Sequence, residues 1–218
     1  MFSRHDMLVL DDAARAYAQM AAPPLNPTLS ESLIKEVIRS DIPAIVRRQD
    51  ATGDAGILQV GFSSHLYREG TRVRIASAIP VNGVREIISP FDLFSRHRSS
   101  PPAPFHHMLE DLCRLATKTA VELGLYGSFA LELLTGLPYT TSASDVDLCL
   151  RAGSRSALSS FHEAVTILEK RCGRHFDIEL LCRDGTCLKL AELFSGQKTV
   201  LCKGLYGAEL RPISQLLL

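Results

Sequence analysis

Apolar residues recur at helical spacing in some stretches of the chain and alternate with polar ones in others. In "FHHMLEDLCRLATKTAVELGL", Leu109, Leu112, Cys113, Ala116, Ala120 and Leu123 share one face, which predicts a helix stopped by Gly124. A second helix is predicted over 156–170, with Leu158, Phe161, Val165 and Leu168 on one face. Shorter helices are expected in "SESLIKEVIRSD", in "SFALELLTG" with Ser128 as its cap, and in "CLKLAELFSG" ending at Gly196. Strand patterns appear in "AIVRRQ", "GILQVGF", "TRVRIASAI" and "HFDIELLC", the first three separated by Gly and Asp turns.

These elements divide into two groups. The first reads as α+β with antiparallel strand pairs, and the second runs helix, turn-helix, strand, helix, strand. Between them, "SRHRSSPPAPF" is rich in Ser, Arg and Pro and has no apolar period. The expected organisation is an N-terminal domain over 1–94, a linker over 95–104 and a second domain over 105–218. The fold class is α+β.

Composition narrows the partners. The 218 residues are 46% hydrophobic and 22% charged, as in an ordinary folded protein. The formal net charge is zero, which argues against a nucleic acid polymer as ligand, since phosphate neutralisation needs a basic excess. The six cysteines form no CxxC pair and read as small, reduced core residues. The seven histidines show no ligand spacing. The apolar run in "MFSRHDMLVLDD" is too short for a signal peptide, and nothing reaches membrane-spanning length. A cytoplasmic protein with no membrane partner is expected.

One stretch carries chemistry: "LYGSFALELLTGLPYTTSASDVDLCL". In a strand, Asp145, Asp147 and Cys149 point to one side while Val146, Leu148 and Leu150 point to the other. Two carboxylates on one strand face lie about 6.6 Å apart at Cα and repel unless a cation sits between them. Magnesium suits that place, because it takes carboxylate oxygens together with substrate phosphates. In "HFDIELLC", Asp177 and Glu179 share a face, and Asp177 is the natural third carboxylate if the two strands are neighbours. Glu179 is expected to be its solvated neighbour. Gly127 and Ser128 open a helix, whose free N–H groups and dipole favour an anion. Ser128 also suits a plain helix cap. Together these residues fit phosphoryl or nucleotidyl transfer, with a metal neutralising the phosphate and an acid accepting a hydroxyl proton.

At these residues the sequence resembles the nucleotidyltransferase superfamily, of polymerase-β-like fold. The long form, with "TGLPY" before "SDVDL", resembles the phosphoribosyl-dephospho-CoA transferases of malonate decarboxylase, its holo-acyl-carrier-protein synthases. "SRHDMLVL", "AIVRRQ", "LQVGF" and "RVRIAS" are similar to that family's N-terminal domain, and "FDIELL" and "VLCKG" to its C-terminal end. The resemblance implies a small N-terminal α/β domain that binds substrate and carrier, and a C-terminal catalytic domain with a mixed sheet flanked by helices. It implies transfer of the prosthetic group from 2'-(5''-triphosphoribosyl)-3'-dephospho-CoA to a serine of the acyl-carrier subunit of malonate decarboxylase, with release of diphosphate. Asp145, Asp147 and Asp177 would hold Mg2+, Asp177 as third ligand or general base, and Gly127 and Ser128 would hold phosphates. The aromatic position before Gly-Ser is Tyr126 here.

Further cations are candidates for the anionic substrate and an acidic carrier. Lys203 is a candidate phosphate ligand, or a solvated lysine. Arg72 and Arg74 share a strand face, and Arg47 and Arg48 lie in "AIVRRQ". The alternative to a role for these arginines is an exposed charged face. Two other functions fit parts of the pattern: AMP or UMP transfer by another member of the superfamily, or a non-catalytic binding module. The presence of all three acids speaks against the last.

Overall fold

The computed structural model describes residues 2–39, 41–50, 53–96 and 105–216. The chain forms two compact units: Met1–Ser89 with Leu137–Tyr139, and Pro90–Gly136 with Thr140–Leu218. Both are mixed helix and sheet. Most of the expected linker, 97–104, lies outside the described residues, while Ser95 and Arg96 end a helix.

The first unit holds strands β1 (Met7–Leu10), β2 (Ala44–Val46), β3 (Ile57–Arg68), β4 (Thr71–Pro80) and β5 (Val84–Ile88). They form one sheet in the order β4-β3-β2-β1-β5, with every neighbouring pair antiparallel. Helix α1 (Asp12–Ala21) is capped by Asp11, whose carboxylate accepts from Ala14 N at 2.8 Å. Its buried Ala14 and Ala18 are small enough for close packing, and Ser77 of β4 donates to Ala18 O at 2.7 Å. Helix α2 (Glu31–Val37) buries Leu33, Ile34 and Val37. Tyr139 also belongs to this unit; it is fully buried, and its hydroxyl donates to Ser63 O at 2.8 Å.

The second unit runs α3 (Pro90–Arg96), α4 (His106–Thr119), β6 (Val121–Leu125), α5 (Gly127–Thr135), β7 (Val146–Ala152), α6 (Arg155–Cys172), β8 (Phe176–Leu181), β9 (Cys187–Lys189), α7 (Leu190–Leu193), β10 (Thr199–Lys203) and β11 (Ala208–Pro212). Its sheet has the order β11-β10-β9-β8-β7-β6. Only β7 and β8 pair in parallel, because the long helix α6 carries the chain back across the sheet between them. Ser154 caps α6, and Gly173 ends it in the left-handed conformation. Leu158, Phe161, Val165 and Leu168 are its buried face, as the periodicity predicts. Val146, Leu148 and Leu150 are fully buried, with Ile178 and Leu180 beside them on β8.

Two expectations are corrected. The helix before the Gly-Ser turn ends at Thr119, not near Gly124, and "VELGL" is a strand. Leu123 is apolar in either period, but the segment pairs along β7 residue by residue, from Val121↔Ala152 to Leu125↔Leu148. Tertiary pairing thus overrides the helical reading. Gly124 serves close packing instead of a helix stop: a Cβ there would lie 2.6 Å from Cys149 Sγ and 2.9 Å from Pro90 Cβ. The "CLKLAELFSG" segment is not one helix. Cys187–Lys189 is a strand, and only Leu190–Leu193 is helical. Among the described residues, no helix is long and apolar enough to cross a membrane.

Candidate active site

The parallel register of β7 and β8 sets Asp147 directly opposite Asp177. Residues so paired point to the same side of a sheet, with strands about 4.8 Å apart. The two carboxylates therefore share one face, opposite the apolar face buried in the core. Asp145 stands just before β7 and is exposed. The backbone is fixed there by Val146 N, which donates to His175 O at 2.8 Å.

The Gly-Ser turn meets this face at Asp147. Tyr126 N donates to Asp147 O at 3.1 Å, which holds the end of β6 to β7. The chain then turns through Gly127, at φ +68°, into α5. A Cβ at Gly127 would lie 2.6 Å from Asp147 Cγ. The left-handed φ and this approach both require glycine. Gly127 thus stands against Asp147, which is paired with Asp177 across β7 and β8. Ser128 is not the cap of α5: Tyr126 holds that position and makes no side-chain capping bond. Ser128 instead sits in the first turn, beside the positive end of the helix dipole.

The same face carries cations. Lys189 of β9 makes an ion pair with Asp177, and both side chains are about one-third exposed, at 32% and 30%. Lys203 of β10 stands 3.4 Å from Glu179 Oε1. Glu179 is not solvated as expected but 3% exposed. It lies on an inner strand between Cys149 and Lys189, and such a carboxylate needs a partner to stay charged. Tyr126 belongs to this cluster: burial first, and then the negative charges of Glu179, Asp147 and Asp177, push its phenol well above the ordinary value. It stays protonated. Burial likewise raises the Cys149 thiol, which excludes it as a thiolate nucleophile at neutral pH. All six cysteines are free thiols.

Arg174 holds the approach to the site. Its Nη1 donates to the carbonyls of Thr141, Ser142 and Ser144 at 3.0, 3.4 and 3.2 Å. Its guanidinium also lies 5.5 Å from the Phe129 ring centroid, next to Ser128. It therefore ties the loop before Asp145 to the start of α5. Lys189 and Arg174 are the residues that the sequence pattern missed. Lys189 lay in a segment with a helical pattern, while Arg174 acts on backbone carbonyls and leaves no motif.

The four arginines lie in the first unit. Arg47, Arg48 and Arg74 are exposed. Arg72 is committed within that unit: it donates to Ser64 O at 3.0 Å, Tyr67 Oη at 2.7 Å and Tyr139 O, and lies over both tyrosine rings.

The donor chemistry fits magnesium in part. Carboxylate oxygens are its ligands, and one or two suffice when substrate phosphates complete the shell. Asp147 and Asp177 supply such a pair. Among the described residues, no group of three His, Cys, Asp or Glu side chains is arranged to hold a metal.

Comparison with known proteins covers nearly the whole chain. Residues 3–90 match the model of the phosphoribosyl-dephospho-CoA transferase MdcG N-terminal domain, and residues 92–213 match that of the C-terminal domain. A relative from Xanthomonas campestris pv. campestris (strain 8004) is 28% identical over 226 residues, covering 99% of this chain and 97% of its own. One from Bradyrhizobium diazoefficiens is 27% identical over 206 residues, covering 93% and 86%. One from Pseudomonas putida is 28% identical over 184 residues, covering 84% and 85%. Each is called a phosphoribosyl-dephospho-CoA transferase. No solved structure matches the chain.

Proposed function

The chain belongs to the phosphoribosyl-dephospho-CoA transferase MdcG family, and on that premise we propose that the face shared by Asp147 and Asp177 is where transfer occurs. The single observation that carries this reading is their register: two carboxylates directly opposed, with the Gly127 backbone against one of them. The donor is 2'-(5''-triphosphoribosyl)-3'-dephospho-CoA. The acceptor is a serine of the acyl-carrier subunit of malonate decarboxylase, met in the cytoplasm. The domain is of the nucleotidyltransferase type; its mixed sheet and the helix starting at Gly127 support that assignment.

Asp147 and Asp177 would hold magnesium, and Asp145 stands exposed beside them at the strand entrance. Bound there, the ion supplies charge neutralisation and orientation to the triphosphate. The N–H groups at Gly127 and Ser128 bind a phosphate oxygen at the positive end of α5. Asp177 accepts the proton of the carrier serine. The serine oxygen bonds to the α-phosphorus as the bond from that phosphorus to its bridging oxygen breaks, and diphosphate leaves with the electron pair. Tyr126, neutral among the acids, adds no charge to the cluster. Lys203 lies on the same face and, with three ammonium donors, can offer one to a phosphate while it stays beside Glu179. Arg47, Arg48 and Arg74, in the first unit, offer exposed positive charge to an anionic ligand such as an acidic carrier.

The test is to incubate the protein with Mg2+, triphosphoribosyl-dephospho-CoA and the apo-carrier, and weigh the carrier by mass spectrometry. A gain equal to phosphoribosyl-dephospho-CoA on one serine is expected. No gain, or a gain of AMP or UMP from the corresponding triphosphate, overturns the assignment.

A further inference from the structure

We propose that Lys189 is an exchangeable counter-ion: it neutralises Asp177 in the empty enzyme and turns to the triphosphate of the donor when magnesium binds. The inference rests on the reading of Asp147 and Asp177 as the metal pair. Lys189 stands opposite Glu179 in the register, yet its ammonium reaches across to Asp177. Glu179 already has Lys203 at 3.4 Å, so the buried acid keeps a partner when Lys189 leaves. The Lys189–Asp177 pair is about one-third exposed, open to solvent and to a ligand. A lysine suits exchange, being a compact charge on a flexible stem with three donors and no fixed geometry.

The consequence is a linkage between two ligands. A divalent ion approaching Asp147 and Asp177 alone must displace the ammonium from its pair with Asp177, and the neighbouring Glu179 already has Lys203 as a partner. With the polyphosphate present, the displaced ammonium gains a phosphate oxygen. Lys189 therefore weakens binding of the bare ion and strengthens binding of ion and donor together. An enzyme so built does not hold a loaded metal centre without its substrate.

Calorimetric titration of the intact protein with MgCl2 alone, and then with triphosphoribosyl-dephospho-CoA at saturating MgCl2, tests this. Lys189→Met is expected to bind Mg2+ alone roughly tenfold more tightly and the donor roughly tenfold more weakly, while Lys189→Arg keeps most of the donor affinity. Lys189→Gln replaces the Met variant if that protein fails to fold. Unchanged affinity for both ligands in Lys189→Met or Lys189→Gln overturns the inference. The Asp147→Asn variant separates the two readings. If it binds Mg2+ as the wild type does, the metal pair is misassigned and this inference falls with it. If it loses Mg2+ while the Lys189 variants change neither affinity, the metal pair stands and only the role of Lys189 falls.

Discussion

Asp147 and Asp177 face each other across adjacent parallel strands, with the Lys189 ammonium on Asp177 and the Gly127 backbone on Asp147. Like charges directly opposite on a sheet oppose folding, by about 0.2–1 kcal/mol. Asp147→Asn removes the repulsion and leaves the Lys189–Asp177 pair in place. Urea unfolding in EDTA is expected to show this variant about 0.5 kcal/mol more stable than wild type. A loss of stability instead points to Asp147 as a purely structural group.

Gly127→Ala tests the approach of the turn to the carboxylate. The substitution places a Cβ in the left-handed region, which costs about 1–2 kcal/mol, and drives it into Asp147. Expected outcomes are a lower denaturant midpoint and a transfer rate reduced by at least about a hundredfold, since a small misplacement of reacting groups is enough for that. A fully active Gly127→Ala protein contradicts the geometry.

Arg174 acts at a distance from the acids through the loop that precedes them. Arg174→Lys keeps a charge but loses the planar guanidinium that lies by the Phe129 ring while its Nη1 holds the loop carbonyls. Its kcat is expected to fall by about tenfold, with KM for the donor nearly unchanged. Arg174→Ala should fall further. Equal effects of the two substitutions on stability and none on kcat would reduce Arg174 to a surface contact.

The polar clamp at the β8–β9 turn gives a pH signature. Burial acts to raise the Asp184 carboxyl, but bonds from Thr186 N and Oγ1 at 3.0 and 2.7 Å and from Arg211 outweigh it and bring it down to about 2. An unfolded Asp titrates near 3.9. The folded value is the lower one, so the charged form stabilises the fold above about pH 4, and that contribution is lost as pH falls toward 2. Equilibrium unfolding across this window should show wild type approaching Asp184→Asn in stability at the acid end. Parallel curves throughout would exclude the clamp.

What was legible beforehand followed from local pattern. The alternation in "SDVDLCL" and "HFDIELLC" sorted Asp147 and Asp177 onto polar faces, and the glycine before a helix marked the turn. Their meeting depended only on β7 and β8 being neighbours in register. Other features depended on the assembled sheet. Glu179 is buried because strands flank it on both sides and its face is covered, which its own alternation does not reveal. Lys189 sits in a three-residue strand, shorter than one helical turn, so the helical pattern that follows it masked the strand. The strand at Val121–Leu125 was hidden for a related reason, because its apolar residues also continue the period of the preceding helix.

We propose that Asp147 and Asp177 together perform the transfer. Its most direct measurement is single-turnover diphosphate release from triphosphoribosyl-dephospho-CoA, with apo-carrier and Mg2+, by wild type, Asp147→Asn and Asp177→Asn. Wild type is expected to release one diphosphate per carrier modified, and both variants, folded by circular dichroism, to slow by about a thousandfold or more. Release at near wild-type rate by either folded variant would contradict the account.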